Sequence, residues 1–416
     1  MRSSPVWLIL AGIMLLLDLY VFQIVKLLSQ SSGHKTRTIL FTSYWSISVL
    51  AIVILFILPL LNLDNFSRGV RSTVFAVIIG LFIAKLIAAV FFLIDDIRRA
   101  IQWFVGKVFF RNTEGEQIEA ESGISRSVFL SWFGVAVGGG LFSSLIYGFS
   151  NKYNYHIRKL SLNFPNLPSS FKGLKIVQIS DIHSGSFTNK KAVEKGVEKI
   201  LQLQPDLILF TGDLVNSDSH EMLDYMDVFN QLKAPMGVFS ILGNHDYGDY
   251  KNWPSAQAKH ENLELLKQIQ AQLGWKLLLD ENVLLEKNGE QIALIGVQNW
   301  SALKRFPRYG NLQKAYQGTE NIPFKILMSH DPTHWDAEVR PKYGDIDLML
   351  AGHTHGMQFG VELPWFKWSP VEYVYKEWAD LYEEGRQKLY VNRGYGFIGY
   401  PGRVGILPEI TQIELT

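Results

Sequence analysis

Four apolar runs in the first 150 residues constrain this chain more than any other feature. They cover residues 6–28, 39–61, 74–94 and 128–149. Each is long enough to carry the roughly 20 residues of helix that a bilayer crossing needs. The first run is too long for the apolar core of a cleaved secretion signal, contains Asp18, and is followed by three more. The sequence therefore predicts a membrane domain with four transmembrane helices at 1–150.

Charge divides the chain at the same place. Residues 1–150 hold 12 Lys/Arg and 8 Asp/Glu, whereas residues 151–416 hold 28 and 31. A net +4 segment is joined to a net −3 segment, so two solvents and two domains are expected, 1–150 and 151–416. The whole chain is nearly neutral, at a formal +1, and no nucleic-acid partner is expected. The chain has no cysteine, which excludes disulfide scaffolds, zinc ribbons and thiol nucleophiles.

Basic residues in the short loops give an orientation. Lys26, Lys35, Arg37, Arg98, Arg99, Lys107, Arg111 and Arg126 fall on one side. Arg2, Arg68, Arg71, Lys152, Arg158 and Lys159 fall on the other. Eight against six places both termini, and with them the catalytic domain, outside the cytoplasm. Asp18 and Lys85 lie at similar depths in runs one and three, which cross in the same direction, and are expected to pair inside the bundle. Residues 97–111 read either as an interfacial helix, with Ile97, Ile101, Phe104 and Val108 at helical spacing, or as an extension of the third span.

From Leu174 onward the pattern is α/β. Short apolar runs at 175–180, 206–212, 238–243, 324–329 and 346–352 read as strands, and helices are expected at 189–203, 219–232 and 255–273. Residues 286–297 read as a hairpin turning at Asn288-Gly289. Further strands are expected at 157–164, 388–392 and 410–415.

Polar clusters close five of these strands. Asp181-Ile-His183 follows the first, Gly212-Asp213 the second and Gly243-Asn244-His245-Asp246 the third. His330-Asp331 follows the fourth and Gly352-His353-Thr354-His355-Gly356 the fifth. Ligands bind at the carboxyl ends of strands in α/β sheets, so the clusters should converge. Five of the ten histidines are in them. Imidazole and carboxylate donors together suit Mn, Fe or Zn, and the set exceeds what one ion needs. Two ions sharing a carboxylate would use it fully, a design for in-line displacement at phosphorus. His34, His156, His220 and His260 read as surface residues, and His334 as a core or substrate residue.

The runs KIVQISDIHSGSF, GNHDYG and AGHTHGMQFG, with the ending NRGYGFIGYPGRVGILPEITQIEL, resemble the calcineurin-like metallophosphoesterase superfamily over residues 157–416. The wording is most similar to its membrane-anchored bacterial branch, which includes proteins similar to UDP-2,3-diacylglucosamine hydrolases. The resemblance implies a four-layer α-β-β-α sandwich and a metal-dependent phosphoric ester hydrolase with two divalent ions. It implies Asp181, His183 and His355 on the first metal, Asn244, His330 and His353 on the second, and Asp213 bridging them. A hydroxide bridging the metals would be the nucleophile, His245 would assist the leaving group, and Asp246 would orient His245. The expected substrate is a phosphodiester, pyrophosphate or phosphomonoester, with a lipid-linked one favoured by the bilayer anchor. The expected location is a bacterial inner or cell membrane.

Other clues concern the substrate. Eight aromatics fall between residues 359 and 382, either as a rim docked on lipid or as a hairpin packed on its own sheet. Lys304, Arg305, Arg308, Arg393 and Arg403 could each hold a phosphate that is not cleaved, and Arg393, in its glycine-rich setting, is the leading candidate. The alternative function is a membrane sensor or transporter-like protein whose metal-binding domain binds ligand without turnover.

Overall fold

The computed structural model describes residues 5–57, 68–109 and 126–416. They form two compact units, Met1–Tyr147 and Gly148–Thr416. In the first unit α1 spans Pro5–Leu28, α2 His34–Ile57, α3 Arg68–Phe109 and α4 Arg126–Gly148. All four are long and apolar enough to cross a membrane. Of the sequence readings, Arg2, Arg111 and residues 58–61 lie outside the described residues. The third helix runs without a break for 42 residues, about 63 Å at 1.5 Å per residue. Residues 97–109 thus extend that span rather than forming a separate helix. Asp95 is buried at this extension and holds Arg98 at 2.7 Å and Arg99 at 3.2 Å, both about one turn along.

One polar knot ties three of these helices. Lys85 Nζ on α3 lies 2.5 Å from Asp18 Oδ1 on α1 and 2.7 Å from Ser48 Oγ on α2. Asp18 also accepts from Ser48 at 2.9 Å and from Tyr44 at 3.0 Å. The expected pair therefore forms, and every acceptor position on Asp18 Oδ1 faces a donor. The fourth helix packs by a different rule. A side chain at Gly138 would meet the carbonyl oxygen of Ala84 at 2.4 Å, and one at Gly134 would meet that of Ala88 at 3.1 Å. Small residues four apart on both helices let the backbones touch, which is how helices associate in lipid.

The second unit is built from fourteen strands among the described residues. Along the chain these are β1 (His156–Leu162), β2 (Lys175–Ile179), β3 (Leu207–Phe210), β4 (Val238–Ser240), β5 (Lys276–Leu277), β6 (Glu281–Lys287) and β7 (Glu290–Gly296). Then come β8 (Lys325–Met328), β9 (Leu348–Ala351), β10 (Val361–Leu363), β11 (Phe366–Trp368), β12 (Asp380–Glu384), β13 (Gln387–Val391) and β14 (Glu409–Leu415). Two six-stranded sheets result, ordered β1-β14-β2-β3-β4-β5 and β12-β13-β9-β8-β7-β6, with β10-β11 as a separate pair. Strands β2 to β5 run parallel, as do β7, β8, β9 and β13.

Alternation within each strand makes the layers. Ile176, Leu207, Leu209 and Phe239 meet Ile292, Leu294, Ile326, Met328, Leu348 and Leu350 between the sheets. On the outer face of the first sheet, Val177, Ile179, Ile208 and Phe210 pack on Val193, Val197 and Ile200 of α5 (Lys190–Gln202). On the outer face of the second, Ile295, Leu327 and Met349 pack on Leu312, Trp335 and Val339. Both faces of the parallel strands are buried, so they read as continuous apolar runs. The expected four-layer α-β-β-α sandwich is what forms.

Local signals explain most element ends. Asn189 caps α5 by accepting from Ala192. The hairpin of β6 and β7 turns at Asn288 and Gly289, both at positive φ (52° and 82°), as a two-residue turn requires. The helix expected at 219–232 is instead a 3₁₀ stretch, Ser219–Tyr225, followed by the single turn α6 (Met226–Phe229). Its start is pinned because Ser219 donates through N and Oγ to Asn262 on α7 (Ala256–Gln272).

The knot in the membrane unit yields a stability test. Removing one partner from a buried ion pair leaves the other charge unpaired, at a cost of about 3–5 kcal/mol, whereas removing both is far milder. Asp18→Asn and Lys85→Met should each lower the unfolding temperature of the protein in detergent. The double variant should recover most of the loss; equal or additive losses in all three would contradict the pairing.

Candidate metal centre

Seven side chains are brought to one place by the carboxyl ends of five parallel strands. Asp181 and His183 follow β2, Asp213 follows β3, Asn244 follows β4, His330 follows β8, and His353 and His355 follow β9. The two sheets thus contribute four and three. Asp181, His183, Asp213, His353 and His355 all have left-handed backbones, with φ between 47° and 73°. That conformation is uncommon outside glycine and clusters where function demands a sharp turn. Backbone contacts hold it: Asp181 N–H donates to the Gly212 carbonyl at 2.9 Å, and His183 N–H to that of Asp213 at 3.1 Å. Two glycines are needed for close approach. A Cβ at Gly243 would sit 2.3 Å from Asp213 Oδ1, and one at Gly352 would sit 1.9 Å from Ser180 Oγ.

The side chains form two groups whose ligand atoms lie within 4.8 Å of one another: Asp181, His183 and His355; and Asp213, His330 and His353. In the first, His355 Nε2 is 3.0 Å from His183 Nε2 and 3.2 Å from Asp181 Oδ1. In the second, His330 Nε2 is 3.1 Å from Asp213 Oδ2 and 3.3 Å from His353 Nδ1. Asp213 Oδ2 is also 3.6 Å from His183 Nε2, so this carboxylate lies between the groups.

Burial sets the charge states. Burial alone would raise the carboxyls of Asp181 and Asp213, but His355 beside the first and His330 beside the second hold both well below the ordinary carboxylate range. Burial pushes His183 and His355 down and takes His353 to about 4. It would lower His330 as well, but Asp213 and Asp181 carry that ring up to about 10. Both carboxylates are thus favoured as anions and His183, His353 and His355 as neutral rings, whereas the two carboxylates favour the proton on His330. Ionised carboxylates and neutral imidazoles are the forms that ligate divalent cations.

Asn244 adds an independent observation. Its Nδ2 donates to Tyr250 Oη at 2.9 Å, while its Oδ1 is buried with no hydrogen-bond partner among the described residues. A buried, unpaired amide oxygen is costly, and a cation at the second group would satisfy it. His183 Nε2, His355 Nε2 and Asp181 Oδ1 converge within 4.0 Å of one another, a donor set that suits a divalent cation. The residues present fit a pair of divalent ions.

The groups floor a cavity of about 310 Å³ that His245 also lines. His245 Nδ1 lies 2.7 Å from the main-chain carbonyl of Asn216. A carbonyl only accepts, so Nδ1 carries the proton and Nε2 is the nitrogen left to serve the cavity. Asp246 was expected to orient this ring and does not. Its carboxylate accepts from the backbone N–H groups of Asp213 and Gly243 at 2.9 Å, Leu214 at 2.8 Å and Val215 at 3.3 Å. It ties the loops after β3 and β4 together. Burial and the nearby Asp213 push it up to about 7, against those donors, which favour the anion.

Arg393 also departs from expectation. Its guanidinium donates to Glu409 at 2.6 Å and Glu362 at 2.7 Å, and lies 2.6 Å from Asp380. Three carboxylates engage it, and it does not line the cavity. Arg403 is buried too and donates to the carbonyls of Arg393 at 2.8 Å and His355 at 3.2 Å. Arg308 donates to the Ser301 carbonyl at 2.5 Å and covers the Trp300 ring. Arg305 does line the cavity. His334 is buried against Ser329, Glu338 and Trp300, away from the cavity. His34, His156, His220 and His260 are exposed.

Several partners were not singled out by sequence reading. Tyr250 holds Asn244 and lies 4.5 Å, ring to ring, from His245. Tyr375 Oη is 2.7 Å from His353 Nε2, with Asp331 Oδ2 at 3.5 Å. Thr211 offers its carbonyl to His330 Nδ1 at 2.7 Å. Asp331, next to His330, carried a signal in its position; a main-chain carbonyl carries none. Ligating histidines characteristically donate their second nitrogen to such partners.

Comparison with known proteins agrees with this geometry. Residues 174–357 match the family described as "Calcineurin-like phosphoesterase". Residues 1–152 match one described as "Probable Calcineurin-like phosphoesterase, transmembrane domain". A "Transmembrane protein with metallophosphoesterase domain" of Danio rerio is 28% identical over 321 residues, covering 75% of this chain and 67% of that protein. "Uncharacterized metallophosphoesterase YkuE" of Bacillus subtilis (strain 168) is 29% identical over 306 residues, covering 70% and 98%. A Bos taurus protein named like the first is 30% identical over 263 residues, covering 60% and 54%. The relatives thus come from bacteria and vertebrates alike. The strand-end donors, the four apolar helices and these matches agree: the chain is a membrane-anchored calcineurin-like metallophosphoesterase, a metal-dependent phosphoester hydrolase.

Proposed function

We propose that residues 1–150 anchor the protein and that residues 151–416 hydrolyse a lipid-linked phosphodiester or pyrophosphate on the extracytoplasmic side of a cell membrane. The observation that carries the reading is one cavity floored by two donor groups and walled by His245. Asp181, His183 and His355 would hold one divalent ion, and Asn244, His330 and His353 the other. Asp213 would be shared, since its Oδ2 lies within 3.6 Å of a histidine from each group. When bound, two such ions lower the pKa of a water for attack on phosphorus and neutralise the charge on the phosphoryl oxygens. Nitrogen and oxygen donors without sulfur suit Mn, Fe or Zn.

The protein's own groups do the remaining work. His245 holds a proton at Nδ1 against the Asn216 carbonyl. Its imidazolium form would deliver a second proton, from Nε2, to the departing oxygen. Arg305 would hold a phosphoryl group that is not cleaved. One wall of the cavity is apolar, formed by Met357, Pro370, Val371, Val374 and Ile398, and suits a substrate with a hydrophobic moiety. The loop charges support the extracytoplasmic side, and that side disfavours a cytosolic nucleotide substrate. Asp18 and Lys85, the two charges inside the spans, are engaged with each other.

Incubation with Mn²⁺ and bis(p-nitrophenyl) phosphate tests the core of the reading. Sustained release of nitrophenol, abolished by EDTA and restored by Mn²⁺, is expected; binding of metal without release would refute turnover. Asp213→Asn should fold normally yet lose most activity, and near-normal turnover by that variant would contradict a shared carboxylate. His245→Ala should lose about 100- to 1,000-fold with an alkyl leaving group and much less with nitrophenol, because only the poor leaving group needs a proton. Arg305→Ala should raise KM about tenfold at unchanged kcat. An alkaline phosphatase fusion at the C-terminus should be active, and an inactive one beside a fluorescent green-protein fusion would reverse the orientation.

A further inference from the structure

The β10–β11 hairpin is amphipathic in the wrong sense for a soluble surface. Register pairs Glu362 with Lys367, Val361 with Trp368, and Leu363 with Phe366. The charged pair faces inward. Glu362 accepts from Arg158 at 2.6 Å and Arg393 at 2.7 Å, and Lys367 donates to the Ala379 carbonyl and to Asp380, both at 2.8 Å. The apolar face is left in solvent, with Val361, Leu363 and Phe366 exposed and Trp365, at the tip, 81% exposed. Strands normally present the opposite pattern.

The hairpin does not stand alone. Met357 before it and Tyr373 and Val374 after it are exposed by 57%, 76% and 50%. Seven large apolar side chains thus lie bare within eighteen residues. Elsewhere in the same unit, exposed ones occur separately along the chain, as at Leu223 and Leu284, which is ordinary. Met357 and Val374 also line the metal-site cavity, so the bare patch runs into its mouth. Clustered apolar surface marks a partner.

The chain path identifies the partner. Gly148 ends the last apolar helix. Its carbonyl accepts from Arg403 N–H at 2.9 Å, and a Cβ there would collide with Tyr400 and Val404. The next residue, Val404, donates to the Gln358 carbonyl at 2.8 Å and accepts from Gly360 N–H at 2.9 Å. The hairpin begins one residue later. The root of the bare hairpin and the point where the chain leaves its last span are therefore fastened to one strap. Trp, Tyr and Phe are also the side chains that favour the membrane–water interface.

The geometry points to a lipid bilayer as the partner of this face: Trp365, Phe366, Leu363 and Tyr373 enter the interface and set the mouth of the metal site against the lipid. This deepens the lipid-linked substrate reading and rests on it for the purpose of docking, though not for its occurrence.

The chain has no cysteine, so single labels can be placed in it. Trp365→Cys and, as control, Glu286→Cys on the β6–β7 hairpin would each carry bimane after reconstitution into phosphatidylethanolamine–phosphatidylglycerol vesicles. The label at 365 should be quenched by doxyl-labelled lipid and shielded from aqueous iodide, with the reverse at 286. Equal iodide quenching at both positions overturns the proposal. In a second arm, W365S/F366S should cleave soluble bis(p-nitrophenyl) phosphate within about twofold of wild type. It should lose about tenfold against vesicle-borne diacylglycerophospho-p-nitrophenol. Equal effects on the two esters would also overturn it. If the wild type with Mn²⁺ cleaves neither ester, the hydrolase reading fails instead, and the quenching arm still decides docking.

Discussion

Buried charged and polar groups that face one another are the constraint on which the catalytic unit is organised. Asp181, Asp213 and four imidazoles share one buried space, with two imidazole nitrogens 3.0 Å apart. Nothing in that set is stable alone, since burying a charge or an unpaired polar atom costs several kcal/mol. The surroundings hold it by force of geometry. Left-handed turns at the strand ends bring residues i and i+2 into the site, Asp181 and His183 into one group and His353 and His355 into different groups. Glycines 243 and 352 leave room for those turns. Asp246 draws four backbone N–H groups from two loops into one carboxylate. Between the sheets, Gln178 donates to Thr211 on the first and to the Ala351 carbonyl on the second, which fixes one half of the site against the other. Such a frame fits a pair of divalent cations.

Much of this was legible in the sequence because strand ends and donors are both local signals. Apolar runs bounded by Asp-x-His, Gly-Asp or His-x-His announce a strand and its terminal turn together. The four-layer order follows once both faces of each run are seen to be apolar. What stayed hidden depends on contacts far along the chain. Arg393 sits in a glycine-rich stretch that looks like a substrate loop, but its three carboxylates come from positions 362, 380 and 409. Asp246 adjoins His245 in sequence, yet adjacent side chains on a turn diverge, and the acceptor that orients the ring is the carbonyl of Asn216. A helix at 219–232 was suggested by spacing, and Asn262 overrides it by holding Ser219 in a bend.

The membrane unit obeys the same rule in a different solvent. Hydrocarbon offers no hydrogen bonds, so Asp18, Lys85, Ser48 and Tyr44 satisfy one another from three helices. Sequence depth alone located that pair, because helices crossing in the same direction put equal residue counts at equal depth. The Gly134–Gly138 seam with Ala84 and Ala88 needed coordinates. Glycine in a span is common, and only contact shows which face it serves.

The β10–β11 hairpin shows how the two solvents meet in one unit. A strand pair in water would turn Glu362 and Lys367 outward and bury Leu363 and Phe366. Here Arg158, Arg393 and Asp380 draw the charges inward instead. The ion network around Arg393, misplaced by sequence reading as a substrate contact, thus has a structural consequence that reaches the surface. By fixing the polar face of the hairpin to the body it dictates which face is left bare. A residue can therefore shape how a substrate approaches without touching it, through the side chains that its ion pairs force outward.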